Sequence, residues 1–264
     1  MSLGISFQPS EVAKLGVILS FAAMITRFGE NMETFRWGIA PFAGILAVIV
    51  VLLRLEPHNS AIVIIACTAG AMLFLGGVKY RWFILGGCAM LLGLVLILGA
   101  GGYEASRITA WQDPFSDPTD DGYQIIQSLY AIGSGGLFGL GFGQGRQKYL
   151  YLPEEHNDYI FSIACEELGL TGAAAILLLY ALLILRGYWI SMHIRDRFLS
   201  LTVAGITTLT ALQVFFNIGV VTNLLPSTGI SLPFFSYGGT ALLIQLGEMG
   251  IILGASRQCS AGFL

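Results

Sequence analysis

Residues 159–185 read Y-I-F-S-I-A-C-E-E-L-G-L-T-G-A-A-A-I-L-L-L-Y-A-L-L-I-L, an apolar block broken only by the paired charges Glu166 and Glu167. A hydrocarbon layer about 30 Å thick is crossed by about 20 residues of helix, within a range of about 17 to 25, so this block can span a membrane. Six more apolar blocks accompany it, at 12–26, 37–53, 60–78, 82–100, 198–225 and 239–255. Of the 264 residues 55% are hydrophobic and 11% charged, when a soluble domain carries about 25% charged residues. Lipid cannot satisfy backbone N–H and C=O groups, and the period-2 alternation of a barrel is absent. The expected fold is therefore all-α: a polytopic integral membrane protein of about seven transmembrane helices, one membrane domain over residues 1–264.

The net charge of −3 and the lack of any basic run exclude nucleic acid as a partner class. Cys67, Cys88 and Cys165 fall inside apolar blocks and Cys259 in the tail, a distribution of small buried side chains rather than of disulfides or a zinc site. No cationic stretch followed by a small-residue cleavage site opens the chain. Orientation follows from the basic residues. Assigning loops alternately to two sides puts Arg27, Arg36, Lys79, Arg81, Arg186, Arg195, Arg197 and Arg257 on one and Arg54, Arg107, Arg146 and Lys148 on the other. The richer side is cytoplasmic by the positive-inside rule, and Trp37, Trp82 and Trp189 lie at block ends on that side. Met1 is then outside.

The longest interruption, residues 101–157, lies outside as a large extracytoplasmic loop of acidic balance. Within it, Tyr123 to Ile132 alternates at helical spacing, with Gln124, Gln127 and Ser128 on or near one face, which predicts a short amphipathic helix against the membrane. Gly133 to Gly145 is dense in glycine, which permits close backbone approach. It is no phosphate loop, because no strand precedes it and the G-K-[ST] ending is missing. A second outer segment, Asn223 to Gly239, holds two prolines and several glycines yet is too apolar for an ordinary loop. It predicts a re-entrant wall, since irregular backbone at membrane depth is tolerated only inside the protein.

Charges within spans cost about 2.5 to 3.5 kcal/mol each on insertion scales and normally face the interior. Glu11 and Lys14 are three positions apart and can pair on one helical turn; Glu248 sits in the middle of the last block. Each can be a structural partner or part of a site. Asp158 stands where the outer loop enters the 159–185 block. Two readings are open for it: a helix cap, or a reactive carboxylate whose pKa is pulled one way by burial and the other by the helix terminus.

The motifs F-Q-P-S-E-V-A-K-L at 7–15, G-Y-Q-I-I-Q-S-L-Y-A-I-G-S-G-G-L-F-G at 122–139, Y-L-P-E-E-H-N-D-Y-I-F-S-I at 151–163, E-E-L-G at 166–169 and L-P-S-T-G-I-S-L-P-F-F-S-Y-G-G at 225–239 occur in order. Together they resemble the SEDS family (shape, elongation, division and sporulation; FtsW, RodA and SpoVE), and the division and sporulation branch more than RodA. Members have ten spans and the Q-P-S-E motif opens the fourth, so the chain resembles spans four to ten. The resemblance implies a multi-pass protein of the bacterial plasma membrane. Its implied activity is that of a peptidoglycan glycosyltransferase, which polymerises lipid II during division, sporulation or cell-shape maintenance. The implied partners are a class B penicillin-binding protein and other division proteins.

The family's H-T-D-F-I motif maps onto His156-Asn157-Asp158-Tyr159-Ile160, which implies that Asp158 is catalytic. As lipid II is joined, pyrophosphate leaves, and its charge must meet a cation or a divalent metal such as Mg or Mn. Lys14, the lysine of the Q-P-S-E-x-x-K pattern, is the favoured contact, with Arg107, Arg146 and Lys148 as further cations on the outer side. Glu11, Gln127, His156 and Ser236 complete the implied substrate-binding set. Where the family reads Q-P-D-x-G-T, this chain has Glu56-Pro57-His58-Asn59-Ser60, without the aspartate and the glycine. Competing readings are a lipid II transporter, in which Glu11, Lys14 and Glu248 matter more than Asp158, and an inactive division scaffold.

Overall fold

The computed structural model of the chain describes residues 8–55, 59–87, 103–116, 118, 122–147 and 157–260. Most of the 82–100 span, the Glu56-Pro57-His58 departure, Lys148 and His156 lie outside these described residues. Among the described residues all regular structure is helical. The helices are α1 (Pro9–Phe28), α2 (Phe35–Gly38), α3 (Ala40–Leu55), α4 (Asn59–Leu75), α5 (Tyr103–Gln112), α6 (Tyr123–Gly135), α7 (Ile160–His193), α8 (Arg197–Val221) and α9 (Gly239–Ser260).

Among the described residues five stretches are long and apolar enough to cross a membrane: Pro9–Glu33, Phe35–Leu55, Ile160–His193, Arg197–Val221 and Gly239–Cys259. The expected span at 60–78 is shorter than its apolar block. Helix α4 ends at Leu75 after 17 residues, because the chain turns at Gly76 and at Gly77, whose φ is +89°. The block at 159–185 is instead longer than expected, a 34-residue helix interrupted at Gly169 (φ +68°, ψ −168°).

The chain forms two compact units. The first comprises Met1–Gly86, Leu182–Leu212 and Gly238–Leu264. Its core is built by Ile18, Phe21, Ala22 and Ile25 of α1, Phe42 of α3, Ile64, Ile65 and Met72 of α4, and Val203 and Ile206 of α8, all essentially inaccessible. The rings of Phe21 and Phe42 meet edge to face at 4.8 Å, the geometry favoured by the aromatic quadrupole. Val48, Val51, Leu52 and Leu55 of α3 point outward, as expected of a helix apolar on all sides and bathed in lipid. Asp196 caps α8, its two carboxylate oxygens accepting from Phe198 N and Leu199 N, each at 3.3 Å. Trp37, Trp82 and Trp189 each carry an arginine over the ring, from Arg36, Arg81 and Arg186, at 5.7, 5.3 and 4.3 Å. Such pairs suit the membrane interface assigned to these tryptophans, where an apolar body and a charged partner are both accommodated.

The second unit comprises Gly87–Ala181 and Gln213–Tyr237. Its core holds Tyr159, Phe161, Ile163, Ile176 and Tyr180 of the α7 region, Val214, Val220 and Val221 of α8, and Leu232 of the irregular segment after it. The helix predicted from Tyr123 forms as α6, but its polar face is not simply solvated. Ser128 is fully buried, 2.6 Å from the Ser162 hydroxyl and donating to Val221 O at 2.8 Å, while Gln124 and Gln127 are half-buried. A buried hydroxyl is tolerated because both neighbours satisfy it.

The glycine-rich stretch after α6 is threaded into the break in α7. In an unbroken helix Leu170 N and Thr171 N would donate to the carbonyls of Glu166 and Glu167. Here those carbonyls accept from Leu140 N and Gly141 N at 3.0 and 3.1 Å, and Leu170 N and Thr171 N donate to Gly136 O and Leu137 O at 2.9 and 3.1 Å. The exchange leaves all four helix groups paired, which irregular backbone within a span requires. It also brings the main chains together: a Cβ on Gly139 (φ +78°) would lie 2.1 Å from Glu167 O, and one on Gly169 would lie 2.3 Å from Gly139 N. Only glycine fits either position.

Candidate active site

Asp158 lies in the turn 157–159, with Tyr159 between it and the first residue of α7. It therefore stands one place ahead of the residue that precedes the helix. The turn is fixed through its main chain. Asn217 of α8, 1% exposed, donates through one amide to Asp158 O at 2.7 Å and to Ile230 O at 2.8 Å. Ser236 donates to Asn157 O at 2.6 Å and accepts from Leu232 N at 2.7 Å. These two side chains tie the Asp158 turn to the irregular segment 222–238, whose predicted non-helical character holds.

The same segment is held from α5 and from α7. Arg107 of α5 donates to Ser227 O at 3.1 Å, Trp111 donates to Asn223 O at 3.1 Å, and Asn223, at φ +57°, returns a bond to Trp111 O at 3.4 Å. The Tyr180 hydroxyl donates to Pro233 O. Burial pushes the Tyr159 phenol up; Ser227 opposes the shift, the charge of Asp158 adds to it and Arg107 acts against it.

The first unit holds a second polar group. Lys14 donates to Glu11 Oε1 at 2.6 Å, and both residues are only 6% exposed. Glu248 of α9, 3% exposed, feels the charges of both. Lys14 also lines a narrow crevice with Val17, Ile65, Thr68 and Leu209, into which little but a side chain fits. The predicted pyrophosphate contact is therefore an interior ion pair in this structure. Among the described residues no three His, Cys, Asp or Glu side chains gather into a metal site.

Of the residues singled out from the sequence, the structure brings Asp158, Arg107 and Ser236 to one segment and pairs Lys14 with Glu11. Gln127 lies half-buried on α6, and Ser236, expected at the substrate, is occupied in holding the turn. Asn217 was missed. Its signal was available: a lone amide in the apolar run V-F-F-N-I-G-V-V of α8 must face a polar partner.

Long apolar helices with a charge pair buried inside one of them define a polytopic helical membrane protein. The chain belongs to the FtsW/RodA/SpoVE family of cell cycle proteins, which matches residues 2–261, and is a multi-pass protein of the bacterial plasma membrane. It is 42% identical over 252 residues to stage V sporulation protein E of Bacillus subtilis (strain 168), covering 96% of this chain and 69% of that one. It is 40% identical over 255 residues to the probable peptidoglycan glycosyltransferase FtsW of Geobacter sp. (strain M18), covering 97% and 70%. Among solved structures, one described as the structural coordination of polymerization and crosslinking by a peptidoglycan synthase complex superposes with a TM-score of 0.80 at 28% identity, over 97% of this chain and 72% of that chain. The rod shape determining protein RodA of Thermus thermophilus gives 0.65 at 28% identity, over 97% and 68%.

Proposed function

We propose that this chain carries the active site of a peptidoglycan glycosyltransferase that polymerises lipid II, with Asp158 as general base. The observation that carries the reading is the Asp158 turn, fastened through its carbonyls by Asn217 and Ser236 to the same irregular segment that Arg107 holds at Ser227. The names of the relatives support the same activity. In this reading the carboxylate accepts the proton of the acceptor sugar's 4-hydroxyl as that oxygen bonds to the anomeric carbon of the donor. The bond from that carbon to the lipid pyrophosphate breaks, and its electron pair leaves with the pyrophosphate. Proton transfer thus turns a poor nucleophile into a competent one. Arg107 supplies positive charge on the outer side.

The crosslinking named for the structural relative supports a class B penicillin-binding protein as partner. The protein reconstituted with that partner in liposomes containing lipid II is expected to yield glycan polymer and free lipid pyrophosphate. The buried Glu11, Lys14 and Glu248 favour transport as the second reading, because intramembrane charges mark translocation paths. Transport predicts lipid II that reaches the opposite leaflet chemically unchanged, and that outcome without polymer would displace the polymerase reading.

A further inference from the structure

We infer that Phe234 is a positioning residue for the Asp158 turn: its left-handed backbone sets the Ser236 hydroxyl against the carbonyl of Asn157. The proposal rests on the reading of Asp158 as the general base. Residues 232–235 read L-P-F-F. A proline in second place, a positive φ in third and a bond from the fourth N–H to the first carbonyl are the marks of a type II turn. Here Phe234 stands third at φ +66°, and Phe235 N donates to Leu232 O at 3.3 Å. Such turns take glycine or asparagine in third place, because a bulky side chain at positive φ is a steric outlier. Among the described residues two that are not glycine have positive φ, Asn223 and Phe234. Asparagine visits that region routinely and phenylalanine does not.

Strained backbone persists where its surroundings over-determine it, and it gathers at functional sites. Phe234 is restrained on both sides. Before it, Leu232 is 1% exposed and Pro233 is buried, with its carbonyl accepting from the Tyr180 hydroxyl. The Phe234 side chain itself packs against the core that holds Tyr159 and Leu232. After it, Ser236 N donates to Leu232 O at 3.1 Å, and Ser236 Oγ accepts from Leu232 N at 2.7 Å. A serine hydroxyl has one hydrogen to give, and this one goes to Asn157 O at 2.6 Å. That carbonyl belongs to the peptide joining Asn157 to Asp158, so the turn at Phe234 acts on the proposed base through a single bond. An extended Phe234 would carry Ser236 away from Leu232 N and release the Asn157 carbonyl, leaving Asn217 alone on the Asp158 turn. The ring supplies the restraint and the Cβ supplies the strain. Alanine keeps the strain without the restraint, whereas glycine has no strain to relieve.

The test is steady-state lipid II polymerisation by the protein with its penicillin-binding partner, scaled to folded protein from size-exclusion profiles. Displacement of a reacting group by about 1 Å costs about 100-fold in rate. Phe234→Ala and Ser236→Ala are each expected to lower kcat by about 10- to 100-fold with KM unchanged. Phe234→Gly lacks the same ring, yet it should turn over about 10-fold faster than Phe234→Ala. The double variant Phe234→Ala/Ser236→Ala should be no slower than the slower single, because both act on one linkage. If the ring serves packing alone, alanine and glycine have equal kcat per folded molecule; that equality, or a wild-type kcat for Phe234→Ala, overturns the proposal. Where Phe234→Ala yields no folded protein, Ser236→Ala decides, and a wild-type kcat there overturns it equally. Asp158→Asn is run alongside. If it polymerises at the wild-type rate, the general-base reading has failed; if it is inactive while Phe234→Ala is normal, only the positioning role has failed.

Discussion

Gly169→Ala is expected to prevent folding of the second unit, with a destabilisation of at least about 4 kcal/mol. An L-residue held at a left-handed φ costs about 1 to 2 kcal/mol, and the new Cβ would lie 2.3 Å from Gly139 N and 2.6 Å from Leu137 O. Relief requires the segment 136–141 to move away from α7. The four exchanged bonds between Glu166, Glu167, Leu170 and Thr171 and that segment then break, and each orphaned buried group costs about 1 to 3 kcal/mol. The measurement is the yield and melting temperature of the protein in detergent. Gly44→Ala is the control, since a Cβ there meets nothing within 4 Å and alanine favours the helix. A wild-type melting curve for Gly169→Ala would show that the helix break does not depend on glycine.

Lys14→Met is expected to cost about 3 to 5 kcal/mol, because removing one partner of a buried ion pair leaves an uncompensated charge. The double variant Glu11→Leu/Lys14→Met should recover much of the loss, as apolar replacements of similar volume often match a buried pair in stability. A four-protein melting series reads the coupling directly. Strictly additive losses would mean that the two side chains do not support one another.

Apolar length and charge asymmetry were enough to foresee a polytopic helical protein, because both depend on composition over windows of about 20 residues. The Glu11–Lys14 pair was legible for a similar reason: a spacing of three fixes the contact on one turn. The break in α7 was not. Its E-E-L-G-L-T-G stretch averages into an apolar block, and the cause of the break, the chain at Gly136 to Gly141, arrives from far along the sequence. Ser128 illustrates the same limit, since periodicity assigned it to a face but could not supply the Ser162 and Val221 partners that allow its burial. For the site, Asp158 was visible as a carboxylate at a loop-to-span junction. Ser236 and Asn217 show what tertiary structure adds: a motif residue expected to touch substrate holds the backbone, and an overlooked amide in a span does the same.

Catalysis is assigned to the carboxylate of Asp158, and the most direct measurement is glycan polymer formed from lipid II per folded molecule of Asp158→Asn, with the partner protein present. The amide retains the shape of the side chain and the main-chain bonds from Asn217 and Ser236, yet cannot take a proton from the sugar hydroxyl. Loss of general-base catalysis predicts a rate lower by about 10²- to 10⁴-fold at an unchanged melting temperature. A folded Asp158→Asn protein that polymerises lipid II at the wild-type rate would contradict the account.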